Sequence, residues 1–141
     1  MEENESAGTP TVLFVCVHNA GRSQMAAAWL EQPAGGRVRV LSGGSAPAAK
    51  VNPAAVAVTA EAGIDIAGRV PHGWTDPGLH SADVVVTMGC GDACPFYPGR
   101  RHEDWDVADP GGRPLEEIRL ICDDIERRGR GLLDALGIGR T

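Results

Sequence analysis

Cys16, Arg22 and Ser23 are the residues best placed to act together. They lie in the stretch Val12-Leu13-Phe14-Val15-Cys16-Val17-His18-Asn19-Ala20-Gly21-Arg22-Ser23. An apolar, β-branched run ends in a cysteine, and an arginine and a serine close a short loop. The next residues, Gln24-Met25-Ala26-Ala27-Ala28-Trp29-Leu30, are mostly strong helix formers. Strand, loop and helix therefore follow one another, and in an α/β sheet that junction is where ligands bind. The loop amides and the helix N-terminus carry partial positive charge aimed at one spot. A cysteine there is expected to have a lowered pKa, with thiolate available at neutral pH. Arg22 can hold two oxygens of a tetrahedral anion in its planar fork. Val17, His18, Asn19, Ala20 and Gly21 wrap the anion. Asn19 suits a positive φ, and Gly21 lets the backbone approach a ligand closely. Ser23 can donate to the thiolate or to a leaving sulfur, and His18 adds a donor or positive charge rather than a base. The stretch reads as an oxyanion cradle with a nucleophile at its floor. A Cys-x₅-Arg spacing also arises by chance in a chain with 13 Lys and Arg and 4 Cys. The strand before, the helix after, and the Asn, Gly and Ser between are what set this one apart from a buried cysteine beside a surface arginine.

Three further groups bear on chemistry. Asp109-Pro110 offers a general acid, because an oxygen expelled by a cysteine leaves more easily once protonated; the competing reading is an ordinary Asp-Pro turn. Cys90 and Cys94, in Gly89-Cys90-Gly91-Asp92-Ala93-Cys94-Pro95, follow a central strand at the same sheet edge as Cys16. Four residues apart in a helical turn, they come within disulfide range, and flanking glycines let the segment move. A redox pair competes with two inert thiols and with a zinc site that includes His102. A lone C-x-x-x-C lacks the usual two-pair zinc pattern, so no metal is expected. Cys122 lies on the apolar face of a helix and reads as a packed core thiol.

The elements that must position these groups alternate. Residues 11–16 form a strand apolar throughout, as in a central parallel strand. A helix runs to about Gln32 and stops at Pro33 and Gly35. Residues 37–41 alternate like a strand, with a loop at 42–45. Asn52-Pro53 is an N-cap followed by proline at the first helical position, and that helix reaches Gly63. Residues 64–78 are mostly loop, with a short helix near 74–79. Residues 82–88 form a second central strand, and 103–107 a short edge strand. From 115 to 128 the apolar residues Leu115, Ile118, Ile121, Cys122 and Ile125 keep helical spacing. A break is expected at 129–131, before a last helical piece at 132–136. The fold class is α/β: three layers, an open and mainly parallel four-stranded sheet with helices on both faces.

The length of 141 residues suits one domain, 11–141, behind a polar and disordered tail at 1–10. A hydrophobic content of 43 % supports a core, although aromatics are only 4 %. The net charge of −6 argues against a nucleic-acid or anionic-membrane surface, so an anionic substrate needs a local positive site. No run approaches a membrane span, and the acidic start is unlike a signal peptide. A cytoplasmic protein is expected, with thiols serving chemistry rather than structural disulfides.

Residues 16–23 together with Asp109-Pro110 resemble the low-molecular-weight tyrosine phosphatase fold family. There a Cys-x₅-Arg-Ser loop binds an oxyanion and a late Asp-Pro loop supplies the acid. Within it, Arg22-Ser23-Gln24-Met25-Ala26 and the Cys90/Cys94 pair are similar to the arsenate reductase branch. The resemblance implies that Cys16 attacks arsenate, that phosphate and sulfate compete with it, and that further thiols complete reduction to arsenite without a cofactor. Cys90 would attack Cys16, and Cys94 would then take over the disulfide for thioredoxin to reduce. A small thiol such as mycothiol, with mycoredoxin, is the rival reductant; the Ala-, Gly- and Arg-rich composition fits a high-GC genome. Gly111-Gly112 replaces the aromatic wall that tyrosine phosphatases carry after Asp-Pro, which disfavours an aryl ester. Ala27 stands where some reductases use a Glu to help bind potassium, so no such site is expected. A phosphatase on the same scaffold would not need Cys90 or Cys94. A phosphocysteine sugar-transport carrier would lack Arg22, and a nucleotide P-loop would need Gly-Lys-Ser/Thr.

Overall fold

The computed structural model describes residues 9–74, 76–89 and 101–137. In order these form β1 (Thr11–Cys16), α1 (Arg22–Ala34), β2 (Arg39–Gly44), α2 (Pro53–Glu61), α3 (Asp76–Ser81), β3 (Val84–Thr87), β4 (Arg101–Asp104) and α4 (Leu115–Ala135). The four strands make one sheet in the order β2-β1-β3-β4, and every pairing is parallel. β1 is central and all six of its residues are buried, which is why the run is apolar from Val12 to Cys16. Alternate β1 residues feed two cores. Val12, Phe14 and Cys16 join the larger one with Met25, Leu30, Val58, Ile118, Ile125 and Leu133, drawn from α1, α2 and α4. Leu13 and Val15 join a smaller one with Ala82 and Val85, covered by Leu41 and Trp74. Among the described residues no helix is long and apolar enough to cross a membrane.

The element boundaries differ from the sequence reading where tertiary contacts outweigh local signals. β2 starts at Arg39 and runs through Ser42-Gly43-Gly44, residues that read as a loop. Pairing with β1 as far as Cys16↔Gly44 carries the strand on. The glycines are needed there: a Cβ at Gly43 would lie 2.7 Å from the Trp74 amide nitrogen, and one at Gly44 2.6 Å from the Val17 carbonyl. β4 is the polar Arg101–Asp104, not 103–107. It is an edge strand, and the apolar signal came from Trp105 and Val107 just beyond it. Both are buried, with Trp105 5.4 Å from Phe14 between ring centroids. α1 takes in Pro33 and ends at Gly35 in the left-handed region, whose N–H reaches the Glu31 carbonyl. α4 does not break at 129–131. Gly129 is buried where the helix passes the Trp29 carbonyl, and a Cβ there would meet that oxygen at 3.8 Å, an ordinary contact. At the start of α2, Asn52 Oδ1 accepts from the Ala54 N–H at 2.9 Å, a cap that contributes about 1 kcal/mol.

Candidate active site

The loop after β1 is shaped from outside by residues 45–52. Four of its carbonyls, on Cys16, Val17, His18 and Ala20, accept from the amides of Ser45, Ala46, Ala48 and Asn52 at 3.1, 2.8, 2.9 and 2.8 Å. In a trans peptide the carbonyl and the next residue's N–H point opposite ways. Pulling these carbonyls outward therefore turns the N–H groups of residues 17, 18, 19 and 21 inward. The Asn19 amide accordingly donates to Cys16 Sγ at 3.3 Å. Asn19 has a φ of 50°, the only positive value among the described non-glycine residues, and the loop turns at that point. α1 begins at Arg22 with no acidic residue in its first turn, so the positive end of its dipole faces the cradle unopposed.

Beneath the loop runs a buried polar relay. Gln24 Nε2 donates to Asn19 Oδ1 at 2.9 Å, and Asn19 Nδ2 donates to Ser23 Oγ at 2.6 Å. Ser23 Oγ lies 2.9 Å from Cys16 Sγ. Because Ser23 already accepts from Asn19, its own proton is free to face the sulfur. The His72 amide adds a second donor to Asn19 Oδ1 at 3.1 Å. Cys16, Asn19, Ser23 and Gln24 are all at most 2 % exposed, so each bond lies in a weakly screened interior. The sulfur at the head of this relay has one amide and one hydroxyl aimed at it.

A cavity of about 340 Å³ opens over the sulfur, lined by residues that include Cys16, Gly21, Arg22, Lys50, Asp109 and Pro110. Asp109 thus shares a cavity with Cys16. Its Oδ2 lies 3.9 Å from an Arg22 guanidinium nitrogen, and its Oδ1 accepts the Gly111 N–H at 3.0 Å. Arg22 also donates to the Val107 carbonyl at 3.2 Å, so the arginine and the acid loop locate each other. Two glycines make room for this arrangement. A Cβ on Gly21 would sit 2.8 Å from Pro110 Cγ, so here the loop glycine admits the Asp-Pro turn. A Cβ on Gly89, whose φ is +81°, would sit 2.5 Å from the Arg22 guanidinium. A larger cavity of about 530 Å³ lies on the other side of Arg22, lined by Thr87, Asp104, Trp105 and Asp106 among others. It lacks Cys16, and its two carboxylates do not suit an anion.

Val17 packs its side chain on the smaller core, leaving its backbone to the loop. His18 is exposed and lines the cavity, with Nδ1 3.2 Å from the Ala46 carbonyl. Cys90 and Cys94 lie outside the described residues. Cys122 is buried, takes a hydrogen bond from Trp29 Nε1 at 3.2 Å, and burial pushes its thiol pKa up, as a packed core cysteine requires. Sequence reasoning did not single out Gln24 and Lys50 for the site. Gln24 had a faint signal, a polar residue at a buried helical position. Lys50 had another, being the one lysine in an arginine-rich chain.

A model of the low molecular weight phosphotyrosine protein phosphatase family matches residues 11–139. An arsenate reductase of Staphylococcus epidermidis is 38% identical over 120 residues, covering 82% of this chain and 90% of that protein. The thioredoxin-dependent arsenate reductase of Corynebacterium glutamicum is 40% identical with a TM-score of 0.81. That match covers 96% of this chain but 66% of the other, so this chain spans about two thirds of its length. A structure described as an arsenate reductase in the phosphate binding state superposes with a TM-score of 0.80 at 32% identity, over 90% of this chain and 98% of that one.

Proposed function

The chain belongs to the low molecular weight phosphotyrosine protein phosphatase family and is an arsenate reductase of that fold, and on that premise we propose how its residues divide the reaction. Cys16 is the nucleophile. Arg22 and the amides of residues 17–23 clamp the oxyanion, Asp109 is the general acid, and Cys90 and Cys94 are the thiol relay. One observation carries the reading of the first step: Cys16, Arg22 and Asp109 line a single cavity, with the Asn19 amide and the Ser23 hydroxyl on the sulfur.

Arsenate enters with its oxygens on the loop amides and the Arg22 fork. The Cys16 thiolate attacks arsenic and forms an S–As bond, while an arsenate hydroxyl takes a proton from Asp109, its As–O bond breaks and it leaves as water. Arsenic is still As(V). The Cys90 thiolate then attacks Cys16 Sγ, so that a disulfide forms and the S–As bond breaks. Its electron pair stays on arsenic, which departs as arsenite. The Cys94 thiolate attacks Cys90 and frees Cys16, leaving a Cys90–Cys94 disulfide for a dithiol reductant. Thioredoxin is the favoured reductant, in line with the dependence named for the Corynebacterium protein. Mycothiol with mycoredoxin is the rival, and the reducing cytoplasm is where either would act. Phosphate and sulfate, as tetrahedral anions, compete for the clamp.

Arsenate-dependent thiol consumption, run with each reductant beside hydrolysis of an aryl phosphate, tests the assignment. Cys16→Ser is expected to abolish reduction, because an unactivated hydroxyl is a far poorer nucleophile. Cys90→Ser stops after the arsenate adduct, and Cys94→Ser traps a Cys16–Cys90 disulfide detectable by peptide mass spectrometry. Continued turnover of both variants, with Cys16 joined to a small thiol, rejects the relay in favour of the external thiol. Wild-type reduction by Cys16→Ser rejects the nucleophile itself.

A further inference from the structure

Lys50 is the only lysine in the chain. It lines the cavity over Cys16, across a mouth that also holds Asp109, Pro110 and Gly111. Its place is set by the cradle itself. The amide two residues before it, on Ala48, is bonded to the His18 carbonyl, and the amide two residues after it, on Asn52, to the Ala20 carbonyl. Asn52 then caps α2. The backbone carrying Lys50 is thus tied to the oxyanion loop on both sides. The side chain is exposed, and no carboxylate or hydrogen-bond acceptor engages it among the described residues. Arg22 differs in this respect, since Asp109 and the Val107 carbonyl already share its charge.

Electrostatics gives such a cation a task. The chain carries a net charge of −6, which repels an incoming anion. Beside the Arg22 guanidinium, a second positive charge at the entrance adds an attractive local field over the Debye length of about 8 Å at physiological salt. We propose that Lys50 is a specificity-determining residue of this site, the entrance cation that recruits small inorganic oxyanions to the cradle and raises their affinity. The inference rests on the oxyanion-cradle reading but not on the redox steps that follow. Among the described residues no Phe, Tyr or Trp lines the same cavity, whose charged side chains Arg22 and Lys50 suit an oxyanion.

The test measures binding apart from reduction. Inorganic phosphate is titrated against the rate at which iodoacetamide alkylates Cys16, read by mass spectrometry of the Cys16 peptide, in Lys50→Gln, Lys50→Glu and Lys50→Arg. Phosphate affinity is expected to fall on the order of tenfold in the Gln variant and further in the Glu variant. The Arg variant should keep most of it. The dependence of phosphate affinity on ionic strength should be shallower in Lys50→Gln than in wild type, a change that a merely structural role would not produce. In steady-state arsenate reduction the loss should fall on KM and leave kcat within about twofold. Phosphate affinity and salt dependence at wild-type level in both the Gln and Glu variants overturn the proposal. Failure of phosphate to protect Cys16 in the wild type overturns the cradle reading instead, so the two failures are distinguishable.

Discussion

Asn19 does three things at once in the site: its amide meets the Cys16 sulfur, its side-chain N–H holds Ser23, and its carbonyl oxygen takes Gln24 and the His72 amide. A buried relay of this kind fixes the sulfur's position before any ligand arrives, because leaving one member unpaired would cost about 1–3 kcal/mol. The acid works under a looser constraint. The Asp109 side chain is 58% exposed and 3.9 Å from Arg22, so burial does not hold it as it holds the relay. Asp109→Asn is therefore expected to bind phosphate as the wild type does, yet to slow adduct formation by ~10²–10⁴-fold, the usual range for lost general acid catalysis. Rapid mixing with arsenate reads that step directly, and an unchanged rate would assign the proton to another group. At this scale the sequence was most legible where one short stretch encodes both chemistry and conformation. Cys16, Asn19, Arg22 and Ser23 were recognisable because a strand, a loop and a helix follow in order. Lys50 and Gln24 were not, because the contacts that recruit them cross from other segments or run beneath the loop.

At the scale of elements, legibility follows burial. β1 and β3 were plain because a strand covered on both faces reads as a near-continuous apolar run, here residues 12–16 and 84–86. β4 was misplaced by residues because an edge strand can be polar, and the nearby Trp105 and Val107 owe their burial to the core rather than to the sheet. The glycines of β2 read as a loop because their reason, the close passage of residues 17–19 and 73–74, is invisible along the chain. The continuous α4 makes the same point and can be tested. Gly129 is buried beside α1, but Gly131 is exposed, and a Cβ built on it meets nothing within 4 Å. Gly131→Ala should therefore remove only the backbone entropy cost of glycine in a helix. It is expected to raise unfolding stability by about 0.5–1 kcal/mol, seen as a higher urea midpoint at unchanged m. A drop in stability would mean that the helix needs glycine at 131, and that the break expected there has a physical basis after all.

For the molecule as a whole, the site is a small positive region in a chain of net charge −6, assembled at one edge of the parallel sheet from β1, the head of α1, residues 45–52 and the loop at 105–111. An anion bound there joins segments that are far apart in sequence, and none of them can hold it once the chain unfolds. Binding must then stabilise the fold by mass action. At a phosphate concentration 100 times its Kd the gain is about 2.7 kcal/mol, which moves the melting midpoint of a domain this size by on the order of 10 °C. Two variants separate the clamp from the nucleophile. Cys16→Ser should keep most of the phosphate-induced rise, since a hydroxyl at the floor leaves the amides and Arg22 in place. Arg22→Lys should lose much of it, because a point charge cannot replace the two-pronged fork, while its midpoint without phosphate changes little. Thermal melts over a phosphate series, with sodium chloride matched for ionic strength, read the effect. A wild-type midpoint indifferent to phosphate would show that the cradle does not bind an oxyanion. An equal rise in Arg22→Lys would move the clamp from the guanidinium to the loop amides alone.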